Sequence, residues 1–264
     1  MSDIIDNPSP SSGRKRERVL YPWESQPECD ACYLALVKLL RHIRPQLLLN
    51  GSPDTETYLV ASGLLAGFAA QRSWFMVDAL KEDNLGLHQL STVTLRTGEF
   101  LQGLPLNDIL APSDICMAST RLWPVTINAA TRSGLCIEQL PTFAALINSV
   151  VTSLDGEWEG VSSVVIDHPP QVEPKLLLKS LWSVVTMCLI GDAPVPARYQ
   201  GLTPRQLFFV PYELWPAVTA HFVGCVIEEV KDIVAPAKSL VVVMESAIYA
   251  AMLSPGSIIS PGSR

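Results

Sequence analysis

The pair Cys29-Asp-Ala-Cys32 has the spacing of a redox pair or of half a zinc site. At a helix N-terminus, the helix dipole would lower the pKa of such a thiol. A structural zinc needs four ligands, however, and His42 is the only histidine nearby, with no second cysteine pair beside it. A redox pair usually accompanies a βαβ unit, which this region does not predict. We therefore interpret both cysteines as structural and expect neither a metal nor a cofactor.

Other residues with reactive side chains form no catalytic motif. Residues 63–67 have the sequence Gly-Leu-Leu-Ala-Gly and lack the Lys-Ser/Thr of a phosphate-binding loop. Glu228 and Asp232 lie one helical turn apart and could bind a divalent ion, but the adjacent Lys231 favours a solvated helix face. The histidines form neither an HExxH pair nor a Ser-His-Asp pattern with a glycine-flanked serine. They are His42, His88, His168 and His221. No catalytic residue is predicted.

Glu245 is the charge that fits its surroundings least, because it is the only one within residues 239–253. An ionised carboxylate in an apolar helix is costly unless it is paired or hydrogen-bonded. Three interpretations are open: a structural ion pair or a cap on another helix, a general acid or base with a raised pKa, and a contact with a partner protein. We predict that Glu245 is buried and paired with a basic side chain. The candidate partners are Arg121, Arg132 and Lys179.

Several helical stretches are apolar nearly all round, which is typical of helices that are buried or that cross a membrane. They are residues 58–70, 176–190 and 239–253. Crossing a bilayer takes about 20 apolar residues. Arg72, Lys179 and Asp192 interrupt or end the first two runs before that length. The pattern therefore predicts a soluble protein with buried central helices and no transmembrane segment.

Hydrophobic spacing predicts a mainly α fold, a multi-helix bundle with one small β-hairpin near residues 88–104. Thr97-Gly98 marks the turn of that hairpin, which must pack on the helices because a lone hairpin is marginally stable. Gly63 and Gly67 let another helix of the same chain approach closely. The predicted helices cover residues 30–44, 54–77, 107–111, 117–133 with a kink or a break into two short helices at Pro124, 141–154, 173–190, 216–234 and 237–253.

The chain divides into a core flanked by two irregular ends. Turn-forming residues predict a disordered tail over residues 1–18. Asp3 and Asp6 precede the basic cluster and no apolar run follows it, so this tail does not resemble a secretory signal. The scattered cysteines then indicate a reducing compartment, and we expect the cytoplasm. The remaining segments are a helical domain with the hairpin (19–154), a loop or boundary (155–174), C-terminal helices packed on the same core (175–254) and an irregular tail (255–264).

The amino-acid composition favours a binding protein over an enzyme. Charged residues make up 17% of the chain, against about 25% in typical proteins. A low charged fraction suits a protein that is partly covered by another chain, and it equally suits a protein with a large core and a small surface. The net charge of −7 and the lack of a broad basic patch argue against nucleic-acid binding.

We therefore predict a non-enzymatic protein–protein interaction module: an adaptor, an accessory subunit or an immunity-type binder. Its partner would be another protein or a second copy. Tryptophans often anchor interfaces, and those near helix breaks are candidates: Trp74, Trp123, Trp158 and Trp215. One alternative is small-molecule or lipid binding in an apolar cavity between helices. A second alternative is an enzyme that uses isolated carboxylates.

Overall fold

The computed structural model describes residues 21–24, 28–47, 54–78, 90–111, 121–136, 138, 140–154, 156, 159–165, 170–191 and 209–259. This part of the chain forms nine α-helices and one antiparallel hairpin, so the protein is mainly α-helical, as predicted. The elements are α1 (Cys29–Gln46), α2 (Thr55–Asp78), β1 (Ser91–Leu95), β2 (Gly98–Gln102), α3 (Leu104–Leu110), α4 (Leu122–Arg132), α5 (Phe143–Ser153), α6 (Pro174–Ile190), α7 (Trp215–Val230), α8 (Pro236–Met252) and α9 (Pro255–Ile258). The predicted tail at residues 1–18 lies outside the described residues.

Helices α2 and α8 pack against each other at the centre, and α2 also contacts α6 and α7. Every residue from 57 to 71 is buried, as the uncharged sequence of this stretch predicts. The glycines permit a close approach: a Cβ on Gly63 would lie 2.3 Å from the Val243 carbonyl oxygen, and one on Gly67 would lie 2.0 Å from that of Ala247. The prediction of close packing within one chain is confirmed. None of the described helices is long and apolar enough to cross a membrane.

The remaining helices surround this pair. Helix α1 packs on α6 and α7, α4 packs on α7 and α8, and α5 packs on α8. Helices on both sides of residues 155–174 contribute to one hydrophobic cluster, which extends from Trp23 to Ile258. Trp23 is fully buried, and its ring lies 5.2 Å from that of His221 on α7.

Hydrogen bonds fix the start of α2 and the position of the hairpin. Asp54 accepts hydrogen bonds from the Glu56 N–H at 3.3 Å and from the Thr57 hydroxyl at 2.6 Å, which caps α2. The hairpin packs on the end of α8, because Phe100 is fully buried and the Ser254 N–H donates to the Glu99 carbonyl at 3.1 Å. The prediction that the hairpin lies against helices is therefore confirmed.

The structure differs from the prediction at three places. Helix α4 begins at Leu122, so Pro124 lies in its first turn instead of kinking a longer helix. A proline in the first turn removes no hydrogen bond that the helix would otherwise make. Residues 163–165, inside the segment 155–174 that was predicted as a loop or boundary, form a 3₁₀ turn. The expected irregular tail begins with α9, whose Ile258 is buried against the core.

Candidate functional site

Helix α5 is the least embedded of the longer helices. Its 11 residues include no charged side chain, and only Leu146 and Val150 are buried. Thr142 caps its start by accepting a hydrogen bond from the Ala145 N–H at 3.2 Å. Because the helix rests on α8 by this narrow stripe, a hollow lies along each of its sides.

The hollow on one side, here called the apolar groove, has a volume of about 320 Å³. It lies between α5, the end of β2, α3 and the last turns of α8. Within the described part of the chain, its lining contains no charged side chain and two polar ones, Gln102 and Asn107. Its apolar residues include Leu101, Leu110, Ile147, Val151, Ile248 and Met252.

The hollow on the other side, here called the Glu245 cavity, has a volume of about 240 Å³. It lies between α5, residues 160–163 and α8. Most of its described lining residues have polar side chains: hydroxyl groups come from α5, from the loop and from Tyr249, and a carboxylate comes from α8. The polar lining residues are Ser149, Thr152, Ser153, Ser163, Glu245 and Tyr249.

Glu245 is only 4% exposed, so the expectation that it is buried is confirmed. Its Oε2 accepts hydrogen bonds from the Ser162 hydroxyl at 2.6 Å and from the Ser163 N–H at 2.8 Å. The Ser163 hydroxyl donates to Oε1 at 3.0 Å and to Oε2 at 3.1 Å. Since Ser163 begins the 3₁₀ turn, Glu245 caps that turn from another helix.

The predicted basic partner of Glu245 is wrong for the described residues. Arg132 instead pairs with Glu228 at the surface, and Lys179 is exposed. Arg121 interacts with the charge of Asp108, and burial lowers the pKa of its guanidinium. Hydroxyl and main-chain donors can stabilise a buried carboxylate without a cation. The alternative of a cap on another helix describes the observed geometry.

Sequence analysis did not identify Ser162 and Ser163 as partners of Glu245. The Ser-Ser pair after Gly160 was a weak signal, because serine is common at the start of helical turns. Nothing local relates that pair to a carboxylate 82 residues further along the chain. The fold creates the contact by placing the turn against α8.

Tyr249 closes one wall of the Glu245 cavity. Its hydroxyl donates to Glu159 Oε1 at 2.8 Å. Burial and the adjacent Glu159 charge raise the pKa of Tyr249, so the hydroxyl stays protonated as a donor. Gly160 has a φ of +74°, and a Cβ there would lie 2.5 Å from the Tyr249 ring. Glycine at position 160 therefore lets the loop lie directly on this ring.

The Glu245 cavity places a hydroxyl beside a carboxylate, as a nucleophile and base would be. Three donors already share the Glu245 carboxylate: the Ser162 hydroxyl, the Ser163 N–H and the Ser163 hydroxyl. The described residues that line this cavity include no histidine or cysteine. We therefore derive no catalytic step from this arrangement.

The tryptophans proposed as interface anchors lie in different places. Trp123 is half-buried beside α5, with its ring centroid 5.7 Å from that of Phe143. Trp74 is half-buried near the end of α2, where its ring meets Phe75. Trp215 is buried, and its indole N–H donates to the Val210 carbonyl at 2.8 Å. Trp158 lies outside the described residues.

The Cys29–Cys32 pair lies in the first turn of α1, and both thiols are free. Burial raises the pKa of Cys32 to about 12, so desolvation outweighs the helix dipole. Across the described ranges, no three His, Cys, Asp or Glu side chains are grouped so that they could hold a metal ion.

Thiol labelling should separate the buried from the exposed cysteines. Burial raises the pKa of Cys188 and of Cys225 to about 11. At pH 8, a thiol with a pKa of 11 is about one-thousandth thiolate, so buried Cys32 and Cys188 should label only after unfolding, and half-buried Cys225 should label more slowly than Cys136. Exposed Cys136 should label first. Peptide mapping after a short iodoacetamide pulse measures this order, with guanidinium-unfolded protein as the control. Native labelling of Cys32 as fast as Cys136 would contradict the assignment.

Comparison with models of known families, with curated proteins and with solved structures found no match to this chain. The function is therefore inferred from the geometry of α5 and of the two hollows beside it.

Proposed function

We propose that this protein is a non-enzymatic protein–protein interaction module that binds its partner along α5 and the apolar groove. The observation that supports this most directly is the composition of the outer face of α5. A surface helix normally carries charged or polar residues on the side that faces water. The exposed positions of α5 are Ala144, Ala145, Asn148, Val151 and Thr152, none of which is charged.

The apolar groove suits an apolar ridge on the partner. Ile147 and Val151 lie one helical turn apart on α5, and both line the groove. An amphipathic helix that lays its apolar side chains into such a groove is a recurrent mode of recognition. Gln102 and Asn107 could form hydrogen bonds with the partner main chain or side chains. Half-buried Trp123, which contacts the first residue of α5, would lie at one end of this surface.

The partner is either another protein or a second copy of this chain, and the proposed compartment is the cytoplasm. The free thiols of Cys29, Cys32, Cys136, Cys188 and Cys225 support a reducing compartment. The low charged fraction supports a surface that is covered in the complex.

Val151→Glu should weaken the complex about thirtyfold or more, because it places a charge in the centre of an apolar interface. Val151 is 40% exposed, so the free protein should tolerate the substitution. A partner captured with tagged protein from the source cell would be purified and titrated directly against each variant. Self-association would be measured by sedimentation with the same variants.

Ile233→Glu is the matched control. Ile233 is 74% exposed and precedes α8, whereas the apolar groove lies at the other end of α8. This control should bind like the wild type. Equal affinity of Val151→Glu and wild type would contradict the proposed surface. A monomer that captures no partner would contradict the proposed function as a whole.

A further inference from the structure

We propose that the Glu245 cavity binds the protonated amine of a small ligand. This inference is independent of the proposed interaction surface, because it concerns the other side of α5. The cavity reaches a buried carboxylate and has a volume of about 240 Å³. Such a volume corresponds to roughly eight water molecules at about 30 Å³ each. It lies below the usual range for drug-sized ligands, about 300–1,000 Å³, so the ligand should be small.

Among the described residues, every hydroxyl group that lines the cavity except that of Ser149 already donates its proton within the protein. Thr152 donates its hydroxyl proton to carbonyl groups of α5 at 2.9 Å, and Ser153 does so at 2.8 Å. Ser163 donates its proton to Glu245, and Tyr249 donates to Glu159. Each of these oxygens keeps its lone pairs but has no further proton to give. A complementary ligand must therefore supply donors.

Glu245 itself keeps room for another donor. Its Oε2 accepts the two shortest hydrogen bonds, whereas Oε1 accepts only a share of the Ser163 hydroxyl proton. A carboxylate oxygen can accept about two hydrogen bonds. One acceptor position on Oε1 is thus open in a residue that lines the cavity.

The charge of the cavity also favours a cation. Among the residues that the structure describes, its lining contains the Glu245 carboxylate and no basic side chain. Charge interactions are strong in a partly buried site, because solvent screens them less. An ammonium group combines the positive charge with three N–H donors. Val150 and Val161 provide an apolar wall for a short alkyl chain.

Three small probes separate charge from hydrogen bonding. At pH 8, n-butylamine is protonated, n-butanol has the same chain without the charge, and tetramethylammonium has the charge without N–H donors. Ligand-detected NMR titration of the full chain should give n-butylamine a Kd on the order of 1 mM. The other two probes should bind about tenfold more weakly or worse.

Glu245→Gln keeps the side-chain shape and removes the charge, so it should weaken n-butylamine binding about tenfold or more. Glu99→Gln, at an exposed position on β2, is the charge-matched control and should bind like the wild type. Ser149→Leu tests the cavity without touching Glu245 or its serine contacts, because it narrows the space from α5. It should also abolish binding, which keeps the test valid if Glu245→Gln does not fold.

Several results would overturn the assignment. These are no binding of n-butylamine to the wild type, equal affinity for n-butanol or tetramethylammonium, and unchanged affinity in folded Glu245→Gln or Ser149→Leu protein. If Val151→Glu bound its partner like the wild type, the proposed amine site would not be contradicted, because different faces of α5 line the Glu245 cavity and the apolar groove.

Discussion

Gly67→Ala should destabilise the protein by about 3 kcal/mol or more, because the added methyl group would overlap main-chain atoms of α8. The new Cβ would lie 2.0 Å from the Ala247 carbonyl oxygen and 2.6 Å from its carbonyl carbon. A main-chain carbonyl cannot rotate away as a side chain would, so α2 and α8 must separate. Thermal unfolding should show a loss of about 6–12 °C in Tm.

Gly224→Ala on α7 is the matched control. A Cβ at this position would meet the Ala129 Cβ at 3.6 Å and the Val125 Cγ1 at 3.7 Å, which are ordinary contacts. Alanine also has the higher helix propensity, so this variant should gain up to about 1 kcal/mol. If Gly67→Ala were as stable as Gly224→Ala, the close approach of α2 to α8 would be wrong.

Glu245→Ala should destabilise the protein by about 2–4 kcal/mol, because it leaves the Ser162 hydroxyl and the Ser163 N–H without their acceptor. Glu245→Gln keeps one acceptor oxygen and should lose about half as much. Chemical denaturation measures both values. This loss is smaller than the loss of about 3–5 kcal/mol for a broken buried ion pair, because no buried cation is left unpaired among the described partners.

Glu228→Gln provides the surface comparison, since Glu228 and Arg132 are both 43% exposed in their ion pair. Such a pair contributes at most about 1 kcal/mol. A double-mutant cycle between Glu245→Gln and Ser162→Ala should be non-additive if the two residues form one cap. Equal losses in Glu245→Gln and Glu228→Gln would contradict the cap.

Local sequence signals were sufficient to predict the positions of most helices. Helix α6 begins at Pro174 and α8 at Pro236, because proline is well suited to a first helical position and marks the boundary. The spacing of Gly63 and Gly67 correctly predicted a close helix contact, although not which helix would make it. These features depend on neighbouring residues alone.

The two hollows could not be predicted in this way. Each depends on where α5 rests on α8, and hydrophobic spacing gives the buried stripe of a helix but not the gaps beside it. The partner of Glu245 was assumed to be a cation, because charge is visible in a sequence and the position of Ser163 relative to α8 is not. The sequence of α5 contains no charged residue, but the sequence alone does not show that the helix is exposed. In the structure, only Leu146 and Val150 of α5 are buried.

The pairing of α2 with α8 also determines when this protein can fold during synthesis. More than half of the chain separates the two helices, so α2 leaves the ribosome long before α8 is made. Until then, the apolar surface of α2 that α8 covers has no permanent neighbour. Contacts this distant in sequence slow folding, and exposed apolar surface in incomplete chains favours aggregation. Nascent chains that end before Pro236 should therefore depend on chaperones, and the final fold should form only after α8 has emerged.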